Sequence, residues 1–358
     1  MHSTKAKNLN SKLKTETETK NLKMTHQNNI LQDTYGRDHA YLRISLIERC
    51  NLRCSYCMPE EGVPLSPKSH LMTYEEIYEI AKTFVNHGVT KIRLTGGEPL
   101  IRKDIPVILE KLATLPVELS ITTNAVIIDK FIDVLKEHGV KKINVSLDSL
   151  DREKFKHITR RDQFDIVYKN MLLLVEEGFN VKVNVVLMKD FNDNEIIDFI
   201  KLTKELPISV RFIEFMPFDG NKWNISKMVS YAEVLNYVNI AYQENQIIRL
   251  QDAPNDTSKN YKIAGYKGSF AIISSVTNPF CDSCNRLRLT ANGQLKNCLF
   301  SSTESDLLTT LREGKSIEPA IQKAVQAKFK VRGGMDTLEK LQEPKLHTNN
   351  RSMITIGG

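Results

Sequence analysis

The sequence predicts a parallel α/β fold. Three observations carry that prediction. Apolar, β-branched runs alternate with amphipathic segments between residues 40 and 215. A His-Gly-Val tripeptide closes two of the helical patterns, at 87–89 and 138–140. No glycine-rich GxGxxG follows the first strand, so a dinucleotide-binding sheet has little support. Two architectures satisfy the pattern, an open doubly wound sheet and an incomplete (β/α) barrel.

In chain order the candidate strands are AYLRISL (40–46), KIRLT (91–95), ELSIT (118–122), KINVSL (142–147), VKVNVVL (181–187) and SVRFIEF (209–215). Helical patterns fall near 73–87, 102–113, 129–138, 163–177 and 193–205. Gly88 and Gly139 stand just past a last turn, where glycine commonly ends a helix. After 215 the alternation fades. FAIISSV (270–276) reads as a strand, Asn292-Gly293 as a hairpin turn and ESDLLTTLREG (304–314) as a helix. Residues 34–215 are therefore expected to form the main unit, 216–340 a smaller appendage laid on the sheet, and 341–358 a tail ending in Gly357-Gly358.

Composition is that of an ordinary globular protein: 358 residues, 41% hydrophobic and 26% charged. No run of about 18 apolar residues is present, and the N-terminus lacks a secretory apolar stretch. A cytoplasmic protein without membrane contact is the expectation. The formal charge is +7, but residues 1–33 carry six lysines against Glu16, Glu18 and Asp33, so about +3 belongs to that segment. It is polar and nearly free of apolar residues, and is expected to be disordered. It contains acids and lacks arginine, which argues against a mitochondrial transit peptide. Met24 is an alternative start. The remaining charge is too small to imply nucleic acid.

All six cysteines fall in two clusters, Cys50/Cys54/Cys57 and Cys281/Cys284/Cys298. Clustered thiols in a cytoplasmic protein read as metal ligands rather than as a disulfide framework. Structural zinc wants four protein ligands, and each cluster offers three. No histidine stands at ligand spacing from the first, His39 lying across a strand and His70 beyond Gly62, Pro64 and Pro67. A four-iron cluster on three thiolates keeps one iron open to a ligand that is not protein. Spacing favours iron–sulfur over zinc or redox thiols for the first cluster, and leaves zinc and iron–sulfur open for the second.

The strand cations form a second constellation: Arg43, Lys91, Arg93, Lys182 and Arg211, on four different candidate strands. Lys91 and Arg93 are two apart and share a face. Burying such charges without partners is prohibitive, and a polyphosphate ligand resolves the conflict. No Walker-type loop is present, so side chains would hold the phosphates. The alternative is that these cations pair with Glu98, Asp148 or Glu214. Arg286 and Arg288 likewise share a face beside the second cluster.

The cysteine motif with Tyr56 inside it, and TGGEP (95–99) after the second strand, resemble the radical S-adenosylmethionine (SAM) superfamily. YGRDHAYLRISLIERCNLRCSYCMPEEG, KIRLTGGEPLIR, INVSLDSL, VKVNVV, VRFIEFMPF and FCDSCNRLRLTANGQLKNCLF resemble, within it, the family of GTP 3′,8-cyclases of molybdenum cofactor biosynthesis, across about 35–358. The resemblance implies an incomplete (β/α)6 TIM-type barrel whose C-terminal appendage carries a second iron–sulfur cluster. It implies two 4Fe–4S clusters, the first binding SAM and the second the guanine of GTP. It assigns SAM contacts to Tyr56, Gly97, Ser146 and Met216. It assigns GTP contacts to Arg43, Lys91, Arg93, Thr122, Lys182, Arg211, Arg286, Leu287 and Arg288. It implies a one-electron donor such as flavodoxin or ferredoxin, a downstream cyclic pyranopterin monophosphate synthase, and a C-terminal tail threading toward the GTP site. A homodimer is compatible with it. Two departures stand out: Ala125 replaces a usual glycine, and Glu48 a usual aspartate. The rival readings are a radical peptide-modifying enzyme or maturase with an auxiliary cluster, and an iron–sulfur or zinc sensor module.

Overall fold

The computed structural model describes residues 29–59, 61–347 and 350–357. Asn29 and Ile30 fall in a separate unit, Met1–Ile30, whereas among the described residues the strands, the helices and all six cysteines belong to the unit Leu31–Gly358. The disorder expected of residues 1–33 lies outside the described residues through position 28, as does Met24. At its far end that segment is ordered, with Asp33 buried against Arg37.

The six expected strands are present as β1 (Tyr41–Ser45), β2 (Lys91–Thr95), β3 (Glu118–Thr123), β4 (Lys142–Ser146), β5 (Asn180–Leu187) and β6 (Ser209–Glu214). They pair in parallel in sequential order. A doubly wound sheet would reverse its strand order at a switch point. Sequential order sends every right-handed crossover the same way and puts the helices on one face, so the architecture is a partial barrel.

The expected helices appear as α1 (Tyr74–Asn86), α2 (Ile105–Ala113), α3 (Ile132–Glu137), α5 (Phe164–Glu176) and α6 (Ile196–Glu205). In α1 the apolar spacing buries Ile77, Ile80, Ala81 and Phe84 on one face. Thr73 caps it, accepting from the Glu76 N–H while Glu76 accepts from the Thr73 N–H. Gly88 at φ +106° and Gly139 at φ +69° end α1 and α3 as expected. Between β1 and β6 one helix escaped the sequence reading, α4 (Arg152–Thr159), whose charged sequence REKFKHIT buries only Phe155, Ile158 and Thr159.

Residues 216–340 were expected to lie on the sheet, but much of this region enters it. After α7 (Tyr231–Ala241) come β7 (Ile247–Arg249), β8 (Lys259–Ile263), β9 (Ser269–Ile273), β10 (Arg286–Leu289), β11 (Gln294–Lys296) and β12 (Ser305–Asp306). β9 adds in parallel to β6 and β10 in parallel to β1, and antiparallel partners follow outward on each side. The Asn292-Gly293 turn joins β10 to β11, with Gly293 at φ +72°. A strand that pairs in parallel with one more than 200 residues away has no local signature. The helices α8 (Leu307–Arg312), α9 (Glu318–Gln326) and α10 (Leu338–Gln342), and the short α11 (Met353–Ile356), complete the chain.

Candidate active site

One cavity of about 300 Å³ is lined by all six cysteines. It therefore brings together triads separated by more than 220 residues of sequence. None of the thiols is in a disulfide, and all six are half-buried.

The first triad sits on the loop after β1. The C-terminal carbonyls of α4 hold it, Ile158 accepting from the Ser55 N–H and Thr159 from the Arg53 N–H, each at 2.9 Å. The loop closes on itself where the Cys57 and Met58 N–H groups both donate to the Cys54 carbonyl. The Gly-Gly of TGGEP packs against the approach to the loop. The Gly97 N–H donates to the Ile47 carbonyl and the Glu98 N–H to the Arg49 carbonyl. A Cβ on Gly97 would lie 2.1 Å from the Arg49 carbonyl oxygen, so no other residue fits there. The Glu98 carboxylate accepts from the Thr123 hydroxyl and the Asn124 and Leu100 N–H groups. The Asn124 amide in turn donates to Cys50 Sγ at 3.5 Å and to Asn51 at 2.7 Å.

This end of the cavity is acidic. Tyr56 donates to the buried Asp148 at 2.8 Å, and the Val186 N–H fixes the other carboxylate oxygen. Burial pushes Asp148 up to about 6 and Glu98 up to about 7. Burial, with Glu98 adding to it, pushes the Cys50 thiol up to about 11. Cys54 is raised as well, by burial, Cys57 and Asp148, and Cys57 by burial, Cys50 and Asp148.

The opposite wall is cationic. Register places Arg288, Arg43 and Arg93 side by side on β10, β1 and β2. Arg211 joins from β6 and Arg286 from β10, and all five line the cavity. Among the described residues none of the five forms an ion pair, and Arg43 Nε, Arg211 Nε, Arg286 Nε and Arg286 Nη1 are buried with no hydrogen-bond partner. The acids considered as partners are engaged elsewhere: Glu98 and Asp148 as above, and Glu214 with the Val276, Thr277 and Tyr231 N–H groups. Burial and the neighbouring charges pull Arg93 down to about 10 and Lys182 down to about 7. Unsatisfied buried guanidinium groups on several strands make a cradle for a polyanion.

Thr122, Gly97, Ser146 and Met216 line the cavity with the arginines. Lys91, Lys182 and Leu287 do not. Lys91 pairs with Glu118 at 2.8 Å. Leu287 is fully buried between two cavity-facing arginines, so its side chain points to the other face of the strand. Several lining or supporting residues were not anticipated: Asp148, Asn124, Asn144 and Asn184, with the amide oxygens of the last two buried and unpartnered. Tyr41 was also missed, its ring facing Arg43, Lys91, Arg93 and Arg286 within 6 Å. Tyr41 lies on the same strand face as Arg43, two residues away, which is the signal that could have found it.

The second triad is surrounded by positive charge. Burial raises Cys284, but Lys328 and Arg286 outweigh it and bring the thiol down to about 7. Burial raises Cys281, with the Arg332 N–H and guanidinium opposing. As the side chains stand, no three Cys, His, Asp or Glu groups among the described residues are placed to hold a metal ion. The fit of each triad to a cluster rests on its donor chemistry: three soft sulfur ligands facing a cavity.

The C-terminal segment enters the same space. Ser352 donates to the Cys57 carbonyl at 2.5 Å, and Met353 and Ile354 line the cavity. Arg288 donates to the Gly357 carbonyl at 2.6 Å. A Cβ on Gly357 would lie 2.4 Å from Thr95 Oγ1. Gly358 lies outside the described residues. The two departures also find their places: Glu48 accepts from Ser66 and reaches Arg351 at 3.7 Å, and Ala125 adopts φ +59°.

The family described as the Radical SAM superfamily matches residues 44–203, and Molybdenum Cofactor Synthesis C matches 208–333. The chain is 49% identical to the mitochondrial GTP 3′,8-cyclase of Arabidopsis thaliana, covering 92% of this chain and 84% of that protein. It is 41% identical to the GTP 3′,8-cyclase of Listeria welshimeri, covering 92% and 99%. It is 48% identical to the molybdenum cofactor biosynthesis protein moc-5 of Caenorhabditis elegans, covering 89% of this chain and 54% of that one, so it spans about half the length of this relative. Among solved structures, Streptococcus suis SuiB bound to S-adenosylmethionine superposes with a TM-score of 0.55 at 18% identity, covering 76% of this chain and 65% of that one. That likeness concerns the fold.

Proposed function

The chain belongs to the radical SAM superfamily and, within it, to the GTP 3′,8-cyclase family, and from that premise we propose that it catalyses the cyclisation of GTP in molybdenum cofactor biosynthesis. The observation that carries this reading is the polarity of the shared cavity. Its first-triad end is lined by thiols and the buried Asp148 carboxyl group, which suits the sulfonium of SAM. Its second-triad end is lined by arginines without counter-ions, which suits a nucleoside triphosphate. A peptide substrate would leave those guanidinium groups unsatisfied, which counts against a maturase. A sensor module has no use for them.

Radical SAM membership implies one 4Fe–4S cluster, here on Cys50, Cys54 and Cys57, and we place a second on Cys281, Cys284 and Cys298. Reductive cleavage of SAM supplies a 5′-deoxyadenosyl radical that abstracts H3′ of GTP, leading to 3′,8-cyclo-7,8-dihydro-GTP. The protein's part is to hold and to shield. Tyr56, Gly97, Ser146 and Met216 are proposed to frame SAM. Arg43, Arg93, Arg211, Arg286 and Arg288 grip the phosphates, with Thr122 beside them and Lys91 and Lys182 adding field from below. Met353 and Ile354 help exclude water, and the Gly357 carbonyl orients Arg288. In this division, 34–215 is the radical-generating part, 216–340 the substrate part and 341–358 the plug.

A flavodoxin- or ferredoxin-type protein is the proposed electron donor, and a cyclic pyranopterin monophosphate synthase the consumer of the product. No helix among the described residues is long and apolar enough to cross a membrane. A cytoplasmic site remains our proposal, although one relative's name places it in mitochondria. Anaerobic reconstitution with iron and sulfide, then addition of GTP, SAM and reductant, tests the function. The expected result is 5′-deoxyadenosine together with a cyclised nucleotide. 5′-Deoxyadenosine unaffected by GTP, with no cyclised nucleotide, would overturn it.

A further inference from the structure

We propose that Lys328 is a positioning residue for the second thiol triad, holding the Cys284 sulfur by a charge-assisted hydrogen bond and favouring the reduced form of the cluster bound there. The proposal rests on the reading that Cys281, Cys284 and Cys298 hold a 4Fe–4S cluster.

Lys328 is 4% exposed, a depth at which lysine is rare unless paired. Its ammonium lies 3.5 Å from Cys284 Sγ and 2.9 Å from the Arg286 carbonyl. Among the described residues it forms no ion pair with a carboxylate. Asp33, which like Lys328 acts on the buried His39, is engaged by Arg37 at 2.6 Å. An ammonium taken out of water without an anion is strongly disfavoured. Thiolates that have lost their protons to a metal supply that anion, so the buried lysine makes electrostatic sense once a cluster is in place.

The placement is also rigid. Arg37 donates to the carbonyls of Phe329, Lys330 and Cys281 at 3.0, 2.8 and 2.8 Å. It thereby ties the segment that carries Lys328 to the loop that carries the triad. Arg332, at the other end of the segment, donates to the Val276 carbonyl at 2.7 Å. The backbone on either side of Lys328 is thus held, its own N–H donating to the Val325 carbonyl at 3.1 Å and the residues after it anchored by Arg37 and Arg332, and its side chain is buried. The first triad has a different neighbour in this role, the neutral Asn124 amide on Cys50. A cation hydrogen-bonded to a ligating sulfur stabilises the more negative, reduced cluster and raises its potential.

The test uses the full chain, reconstituted anaerobically, as wild type, Lys328→Met and Lys328→Arg. Iron and sulfide are counted first. Each sample is then titrated with dithionite under EPR, the first cluster being identified by its response to SAM. The expected result is a second-cluster potential lowered in Lys328→Met by about 59 mV, a tenfold change for a one-electron couple. Lys328→Arg should recover most of the shift, and the first cluster should be unmoved. Selective loss of the second cluster in Lys328→Met, retained in Lys328→Arg, would also support the role. An unchanged potential at full iron content overturns it, as does equal loss in both variants with a lowered melting temperature. A wild-type chain holding only about four irons, all SAM-responsive, would instead remove the second cluster itself.

Discussion

Cys50, Cys54 and Cys57 lie beside the buried carboxyl groups of Glu98 and Asp148, whereas Cys281 and Cys284 lie beside Lys328, Arg286 and Arg332. The donor sets are the same and they face one cavity, yet burial with Glu98 adding to it drives Cys50 up to about 11 while the cations bring Cys284 down to about 7. The supports differ too. Neighbouring backbone holds the first triad, through α4 and the Gly-Gly turn. Long side chains from both ends of the chain hold the second. On our proposal the surroundings, rather than the ligands, assign the roles, the acidic end suiting a sulfonium and the basic end a polyphosphate.

The largest effect breaks the pair outright. Cys54→Ala should abolish 5′-deoxyadenosine formation, whereas Cys284→Ala should retain some uncoupled cleavage of SAM and yield no cyclised nucleotide. Chromatography of both products checks this, and equal loss of cleavage in the two variants would dissolve the division of labour. Next, Gly97→Ala strikes the first triad's support and the SAM side of the cavity while leaving the second triad untouched. A methyl group 2.1 Å from a carbonyl oxygen should destabilise that region by about 3 kcal/mol. The first cluster should be lost and the second kept, as EPR with and without SAM would report.

Much of this was legible beforehand, and the gaps have a pattern. β2 begins and ends where its apolar run does, and Gly88 and Gly139 end their helices as their position suggests. All six cysteines and the five expected arginines line one cavity, and the spacing and strand alternation that mark them are local facts of the sequence. What stayed hidden depends on distance along the chain. β10 joins β1 across more than 240 residues, and no motif or spacing in the sequence marks Lys328. The charged helix α4 shows too narrow an apolar stripe to be recognised. Asp148 has significance only once Tyr56 is known to reach it.

A smaller effect sharpens the electrostatic contrast. Lys182 is held near 7 by burial and by Arg211, Arg93 and Lys91. A lysine with a lowered pKa must take up a proton to meet a triphosphate. GTP affinity should therefore fall as pH rises above about 7, by at most about tenfold per pH unit. Lys182→Met should flatten that dependence, while SAM affinity follows neither. Calorimetric titration between pH 6.5 and 8.5 checks it. The smallest effect is a control on the first-triad side. Ala125→Gly relieves a left-handed alanine worth about 1 kcal/mol and removes a buried methyl worth about 0.8 kcal/mol. Thermal unfolding should move by only a degree or two, and both products should form at wild-type rates.

The most direct measurement follows one hydrogen across the cavity. GTP deuterated at C3′ is turned over anaerobically with SAM and reductant, and the 5′-deoxyadenosine is examined by mass spectrometry. If the two ends of the cavity hold SAM and GTP as proposed, 5′-deoxyadenosine gains one deuterium while the cyclised nucleotide has lost it. 5′-Deoxyadenosine free of deuterium, with GTP recovered intact, would contradict the proposal that the two triads work on a shared substrate.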